Sequence, residues 1–207
     1  MRKPFVMPLA LAGLASLLMG GAASAEPIFN RIGTFSVPLN LPAGRDPKTK
    51  SVAEIIAANE AGTLLAYTDG EQKGVGLIDI TDAAAPKPAG FVPAGGETTS
   101  LVILGQRVFV AVVTSGDNFK QPAGHLATID LATKQVVATC DLGGQPDSIT
   151  LSKDKSKLVV VIENERDEKL DKGALPQLPA GNLTLIGVKD GQADCASRQL
   201  VDLTGLA

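Results

Sequence analysis

The sequence is poor in the residues that carry most catalytic and base-stacking chemistry. It has no tryptophan, one tyrosine, one histidine and two cysteines, and aromatic residues make up 3% of its 207 residues. A zinc centre relies on three or four His, Cys or carboxylate ligands, and a thiol nucleophile needs a neighbouring base. His125, Cys140 and Cys195 give little support to either. The low aromatic content and the net charge of -3 also argue against nucleic-acid binding, which uses basic and stacking side chains.

Long apolar runs are confined to the N-terminus. Arg2 and Lys3 precede an apolar stretch, and Ala23-Ser24-Ala25 supplies the small residues of a cleavage site. We therefore predict a signal peptide over residues 1–25 and a periplasmic or secreted protein with no membrane segment after cleavage. A retained membrane anchor is the alternative, because the stretch approaches the length that spans a bilayer.

Sustained helical periodicity is almost absent from the remaining sequence. Short β-type runs alternate with Gly, Pro, Asp and Asn, and the pattern recurs about every 47 residues, as in "GVGLIDIT", "GHLATIDLA" and "GNLTLIGVK". Each of three units contains four such runs, which is typical of the blades of a β-propeller. The sequence therefore predicts an all-β propeller fragment. A β-sandwich is the alternative fold, although it favours cleaner alternation of apolar and polar residues.

The units predict one partial propeller domain over residues 26–207. Its blades are expected at about residues 51–95, 98–144 and 146–205, preceded by a lone strand at about residues 30–41. Closed propellers have about four to eight blades, so each end blade would expose an apolar face. We expect the remaining blades to belong to a longer protein, or to be supplied by other chains.

One loop concentrates negative charge and is the candidate metal site. Five carboxylates lie among nine positions of "ENERDEKLD". Like charges in such a loop must spread into solvent, pair with cations or bind a metal ion. Ca²⁺ takes oxygen ligands in flexible geometry, so it is the candidate cofactor, and a solvated acidic insertion is the alternative. The candidate ligands are Glu163, Asn164, Glu165, Asp167, Glu168 and Asp171.

The two cysteines are the other candidate site. Export would place Cys140 and Cys195 in an oxidising compartment. A disulfide between them is one reading, and two small, partly buried hydrophobic side chains are the other. Their spacing does not decide between these readings.

Two stretches carry a resemblance to a known family. They are "TCDLGGQPDSITLSKDKSKLVVVIENERDEKLDKGALPQLPAGNLTLI" and "AYTDGEQKGVGLIDITDAAAPKPAGFVPAGG". The chain resembles the N-terminal propeller of secreted bacterial phytase-like proteins and, more broadly, lactonase-like, YVTN-type propellers. The resemblance implies a longer parent protein, calcium dependence and phosphoesterase residues located after Ala207. No catalytic residue of that family matches a position in this sequence.

These observations lead to two hypotheses about function. The first is an exported, non-catalytic propeller segment that binds a divalent cation and an unknown small ligand or partner. Its partners would be the remaining propeller blades or other chains, with neither nucleic acid nor a membrane among them. The second is a contribution to a calcium-dependent phosphoesterase whose catalytic residues lie outside this chain.

Overall fold

The computed structural model describes residues 30–42, 44, 46, 48, 50–203 and 205. The predicted signal peptide, residues 1–25, lies outside the described residues. The chain divides into two units, Met1–Arg31 and Ile32–Ala207, and all the strands belong to the second. Among the residues that are described, no helix combines the length and the apolar character that a membrane crossing requires.

Within the described part of the chain, twelve strands form three antiparallel sheets of four, each with its strands in sequence order. The first sheet, blade 1, contains β1 (Ala53–Ala58), β2 (Leu64–Asp69), β3 (Gly74–Asp79) and β4 (Lys87–Pro93). Blade 2 contains β5 (Glu97–Leu104), β6 (Arg107–Val113), β7 (Gly124–Asp130) and β8 (Gln135–Asp141). Blade 3 contains β9 (Pro146–Leu151), β10 (Lys157–Ile162), β11 (Asn182–Lys189) and β12 (Gln192–Asp202).

The sheets are arranged as consecutive propeller blades. The first strands of the three sheets, β1, β5 and β9, contact one another in order, whereas the fourth strands touch much less. The sheets therefore meet at their inner strands and diverge towards the outer strands, as blades around an axis do. The predicted fold class is confirmed.

The apolar core lies between the blades. One cluster joins blades 1 and 2 through residues such as Val75, Leu77, Val108 and Val110, and a second joins blades 2 and 3. Blade 2 is consequently buried on both faces, and every residue of Val108–Val113 in β6 is buried. This double burial explains the near-continuous apolar run "VFVAVV", since a strand covered on both sides has no polar face.

The structure differs from the sequence-based expectation before blade 1. The segment expected to form a lone strand is irregular up to Ser36 and continues as the 3-10 helix Val37–Asn40. Pro38, near the start of this turn, has no N–H to donate to a strand ladder. The helix instead packs on β3 and β4 of blade 1.

Blades 2 and 3 are also joined covalently. Cys140 in β8 and Cys195 in β12 form a disulfide, with their Cα atoms 5.4 Å apart and a sequence separation of 55 residues. Arg198 adds a polar contact beside this bond, because its guanidinium donates a hydrogen bond of 2.6 Å to the Asp141 carbonyl. The outer strands β8 and β12 are therefore linked covalently between blades 2 and 3.

Candidate functional site

The loops between the second and third strands of all three blades lie at one end of the sheets, which we call the loop face. The inner strands begin at the same end, because they run antiparallel to the strands beside them. A cavity of about 230 Å³ opens where the inner strands begin, and we call it the axial cavity. It is lined by Glu54, Glu97, Thr99, Val113, Gly116, Asp117, Gln145, Pro146, Asp147, Glu163 and Glu165.

All three blades contribute carboxylates to the axial cavity. Glu54 comes from β1, Glu97 from β5 and Asp147 from β9. Asp117, Glu163 and Glu165 come from loops, and the described residues that line the cavity include neither lysine nor arginine. The propeller arrangement therefore gathers like charge from positions that are far apart in the sequence.

The charges of the axial cavity act on Glu163. Partial burial raises the pKa of its carboxyl above the ordinary value, and the negative charges of Asp147 and Glu165 raise it further. A cation placed among these groups would reverse the two charge effects, since an opposite charge favours the ionised form.

Gln145 fixes the first turn of the acidic loop beside the cavity. Its backbone N–H donates a 2.9 Å hydrogen bond to Asn164 Oδ1, and its side-chain Nε2 donates a 3.1 Å hydrogen bond to Glu165 Oε2. The Glu165 N–H in turn donates to Gln145 Oε1 at 3.0 Å. Asn164 Nδ2 donates to the Ala180 carbonyl at 3.0 Å, which also ties together the two ends of the loop. The Asn164 oxygen already accepts a hydrogen bond, so it is a weaker candidate ligand than Glu163.

The remaining predicted ligands lie farther along the loop. Asp167 and Glu168 line a neighbouring cavity of about 620 Å³, which Glu163, Glu165 and Asp117 also border. Asp167 Oδ1 accepts a 2.8 Å hydrogen bond from the Lys169 N–H, and Glu168 pairs with Arg166 at 3.8 Å. Asp171 belongs to the 3-10 helix Leu170–Gly173 and lines neither cavity.

The six predicted ligands therefore do not form one cluster. Within the part of the chain that the structure describes, no three His, Cys, Asp or Glu side chains meet closely enough to hold a metal ion. The charged side chains around the axial cavity nevertheless all offer carboxylate oxygens, the ligand atoms that Ca²⁺ prefers. The calcium site stays a prediction, and two of its carboxylates, Glu163 and Glu165, line the axial cavity together with Glu54 of blade 1 and Glu97 of blade 2.

Sequence reasoning alone did not select Glu54 as a site residue. Glu54 and Asp147 are both the second residue of an inner strand, and Glu97 is the first residue of another. An alignment of the three inner strands could therefore have identified Glu54.

Asp69 ends β2 at the loop face, but it is fully buried. Its carboxylate accepts hydrogen bonds from Ser51 Oγ and from the backbone N–H groups of Val52 and Gln72. Its role is structural.

A family model that describes the choice-of-anchor I domain matches residues 54–206, which include nearly all of the three blades. The chain belongs to the choice-of-anchor I domain family. Together with the fold, this membership makes the chain a propeller domain of a cell-surface or secreted protein.

Solved structures resemble this choice-of-anchor I domain in fold. Hydrazine synthase from Kuenenia stuttgartiensis is 16% identical, with a TM-score of 0.50 over 72% of this chain and 37% of that one. A candidate 6-phosphogluconolactonase from Bacteroides uniformis is 9% identical, with a TM-score of 0.51 over 74% of this chain and 42% of that one. At these identities the likeness concerns the fold alone.

The choice-of-anchor I domain spans about two-fifths of the length of those two structures. A comparison with curated proteins finds no match.

Proposed function

We propose that this choice-of-anchor I domain is a non-catalytic, exported propeller scaffold that binds a divalent cation in the axial cavity and presents a ligand or partner surface beside it. The observation that carries the proposal is the convergence of carboxylates from all three blades on one cavity, with neither lysine nor arginine among its described lining residues. Like charges held together are stabilised by a cation of opposite charge. Ca²⁺ is the best candidate because it accepts irregular sets of oxygen ligands.

The proposed ligands are Glu163 and Asp147, with Glu54, Glu97 and Glu165 as neighbours that can turn towards the ion. Glu163 and Asp147 lie close enough for the charge of Asp147 to raise the Glu163 pKa. Glu163 is also largely exposed, so its side chain has the freedom to change rotamer when an ion enters. The cation would then draw the loop after β10 towards the start of β9. This movement would order the loop face for a ligand.

Thermal unfolding with and without calcium tests this proposal. An ion that binds only the folded state at a hundredfold excess over its dissociation constant stabilises that state by about 2.7 kcal/mol, which corresponds to an increase in Tm of about 5–10 °C for a chain of this size. The double variant Glu163→Gln with Asp147→Asn should lose the increase. Glu168→Gln is the matched control, because Glu168 pairs with Arg166 and lies outside the axial cavity. An unchanged Tm at millimolar calcium would contradict the proposal.

The blades that complete the ring are the proposed partners. Blades 1 and 3 each have one face that no described sheet covers, and exposed apolar side chains lie on both, including Ile56 and Val161. Further blades of a longer protein, or of other chains, would cover these faces. An unknown small ligand remains the second expected partner, and the acidic loop face suits a cationic or metal-bridged ligand.

A contribution to calcium-dependent phosphoester hydrolysis is the second candidate function. It is supported by the resemblance to phytase-like proteins and by a cavity in which bound calcium could attract phosphate. A phosphomonoesterase assay of the purified chain with calcium and with a chelator separates the two candidates. The scaffold proposal predicts no hydrolysis in either condition, whereas calcium-dependent hydrolysis that Glu163→Gln abolishes would favour the second candidate.

A further inference from the structure

The acidic loop between β10 and β11 is much longer than its counterparts in the other blades. It covers residues 163–181, a length of 19 residues, whereas the equivalent loops of blades 1 and 2 cover residues 70–73 and 114–123. The hydrogen bond from Asn164 Nδ2 to the Ala180 carbonyl closes its neck. A long surface loop whose ends meet is an Ω-loop, and such loops are frequently functional. Its extra length therefore indicates a role beyond the connection of two strands.

The side chain of Gln177 gives the acidic loop its shape. Gln177 Oε1 accepts a 2.8 Å hydrogen bond from the Asp167 N–H, and Nε2 donates to the carbonyls of Asp167 and Ala174 at 3.0 and 3.2 Å. Asp171 and Lys172 have positive φ angles of 48° and 58°, which non-glycine residues adopt only rarely. The loop therefore has a defined shape before any partner binds, and this lowers the entropic cost of binding.

The acidic loop exposes leucine side chains instead of burying them. Leu175 and Leu178, on either side of Gln177, are 70% and 79% exposed, and Leu170 is 41% exposed. Because Gln177 holds this part of the loop against Asp167, the two leucines lie beside the charged half of the loop. Apolar side chains that are grouped on the surface and rimmed by polar residues mark interaction sites.

The surface beside these leucines is strongly acidic. Asp167 and Glu168 line the cavity of about 620 Å³, which we call the loop cavity, and the Phe119 side chain of blade 2 lines it with them. The described residues that line the loop cavity and the axial cavity include eight carboxylates and two cations, Arg166 and Lys169. Such a surface attracts basic partners and repels acidic ones. A lysine or arginine side chain that enters the loop cavity can also contact the Phe119 ring favourably.

The acidic loop lies on the side of blade 3 that faces blade 2. Gln145, which connects the two blades, binds Glu165 in the first turn of the loop. Asp117 and Phe119, from the loop after β6 in blade 2, line the loop cavity. The loop is therefore held on the opposite side from the blade 3 face that no described sheet covers.

We propose that the acidic loop docks a basic peptide segment of a partner protein. Its lysine or arginine side chains would lie in the loop cavity, and its apolar side chains would cover Leu175 and Leu178. The leucines favour apolar contact and the surrounding carboxylates favour positive charge, so together they select this occupant. A membrane surface fits less well, because anionic lipids carry the same charge as the loop. The inference rests on the partner surface of the proposed function and deepens it, but it does not require a bound cation.

Fluorescence anisotropy with a labelled synthetic peptide of lysine and leucine tests this inference in the presence of a chelator. The purified chain should bind this peptide, and higher salt should weaken the binding because salt screens the attraction between charges. A peptide with glutamate in place of lysine should not bind. A peptide with serine in place of leucine should bind about tenfold more weakly, or worse, because it loses the apolar contact.

Variants of the chain test the leucines and the loop shape separately. The double variant Leu175→Ser with Leu178→Ser should weaken peptide binding by about tenfold or more. Gln177→Ala should also weaken it although both leucines are retained, because the loop must then become ordered on binding. Leu39→Ser is the matched control, because Leu39 is 65% exposed on the 3-10 helix that packs on blade 1. It should leave the affinity unchanged, and circular dichroism checks that each variant has folded.

Several results would overturn the inference. They are no binding of the lysine and leucine peptide, equal affinity for the glutamate peptide, and unchanged affinity of the double serine variant. Leucine-dependent binding to vesicles of phosphatidylcholine and phosphatidylserine would also overturn it, because the occupant would then be a membrane. All of these measurements are made without calcium. A chain that binds the peptide but shows no calcium-dependent increase in Tm would contradict the cation site alone.

Discussion

Asn40 Nδ2 donates a 2.8 Å hydrogen bond to the carbonyl oxygen of Leu77, which lies 37 residues later in blade 1. Its Oδ1 accepts a hydrogen bond from the Gly90 N–H at 3.3 Å, and Nδ2 also contacts the Tyr67 hydroxyl at 3.2 Å. The β3–β4 register shifts between Leu77 and Ile78, so the buried Asn40 amide meets backbone groups at a bulge. The N-terminal segment is therefore held to blade 1 by polar contacts.

Removing the Asn40 amide should loosen this segment. Asn40→Ala leaves buried hydrogen-bonding groups without a partner, which typically costs about 1–3 kcal/mol. Urea unfolding should show that loss, and proteolysis should cleave before residue 41 more rapidly. Ser36→Ala is the control, because the Ser36 side chain makes no capping hydrogen bond. Equal stability of the two variants would show that the Asn40 contacts contribute little.

The disulfide should stabilise the junction between blades 2 and 3. Cys140 and Cys195 close a loop with a sequence separation of 55 residues, and loss of a natural disulfide in a small domain typically costs about 2–5 kcal/mol. Reduction, or replacement of both cysteines by serine, should lower the Tm of the wild-type chain. Adding reductant to the double serine variant should produce no further change. If reductant lowered its Tm equally, the effect would not come from this bond.

Gly76 should not tolerate a side chain. A Cβ atom at this position would lie 1.9 Å from the Tyr67 ring, and Tyr67 is buried. Gly76→Ala should therefore lower the free energy of unfolding by about 1–3 kcal/mol through overpacking. Combining it with Tyr67→Leu should cost less than the sum of the two single changes. Additive costs would contradict the steric explanation.

The raised pKa of Glu163 predicts how its substitution depends on pH. A carboxyl whose pKa is higher in the folded state favours folding when protonated, and this contribution is lost as the pH rises through the folded-state pKa. Glu163→Gln should therefore raise stability at pH 7 by about a few tenths of a kcal/mol, since solvent screens an exposed group. Urea unfolding at pH 4 should show a smaller gain. A stability loss at pH 7 without calcium would contradict this sign.

Asp154 should show the opposite pH dependence. Hydrogen bonds from Ser152 Oγ, the Ser156 N–H and Ser156 Oγ lower the Asp154 pKa to about 2. Its contribution to stability is present above the unfolded-state pKa near 3.8 and is lost as the pH falls through about 2. Asp154→Asn should reduce stability at pH 7 and have a much smaller effect at pH 2. Lys153→Ala, in the same turn, should lack this pH dependence.

The sequence predicted the propeller because the strand and turn pattern of a propeller depends on local and repeated features. The β-type runs, the glycine turns and the period are all readable without distances, and "VFVAVV" indicates a strand covered on both sides. The expected lone strand was wrong at residues 37–40, where Pro38 has no N–H to donate to a strand ladder and the Asn40 side chain makes a long-range contact. Asn40 binds a bulge in a sheet that begins later in the chain, and no pattern within residues 30–41 contains that partner.

Only part of the candidate site could likewise be predicted from the sequence. Glu163 and Glu165 were recognisable from the density of carboxylates in one loop, whereas their grouping with Glu54 depends on how three inner strands meet. Tertiary structure likewise separated Asp171 from the axial cavity and placed Asp69 in the interior. Residue type fixes which ion a group can bind, but distance and burial decide which groups act together.

By itself the sequence determined the strands, their repetition and the acidic character of one loop, since each follows from residue types at short separation. Only the tertiary structure decided that Cys140 pairs with Cys195, that carboxylates from three blades border one cavity, and which apolar side of each end blade is not covered by a described sheet. The physical reason is that these relationships join residues tens of positions apart. Their contact depends on the angles between packed sheets, which local sequence does not encode.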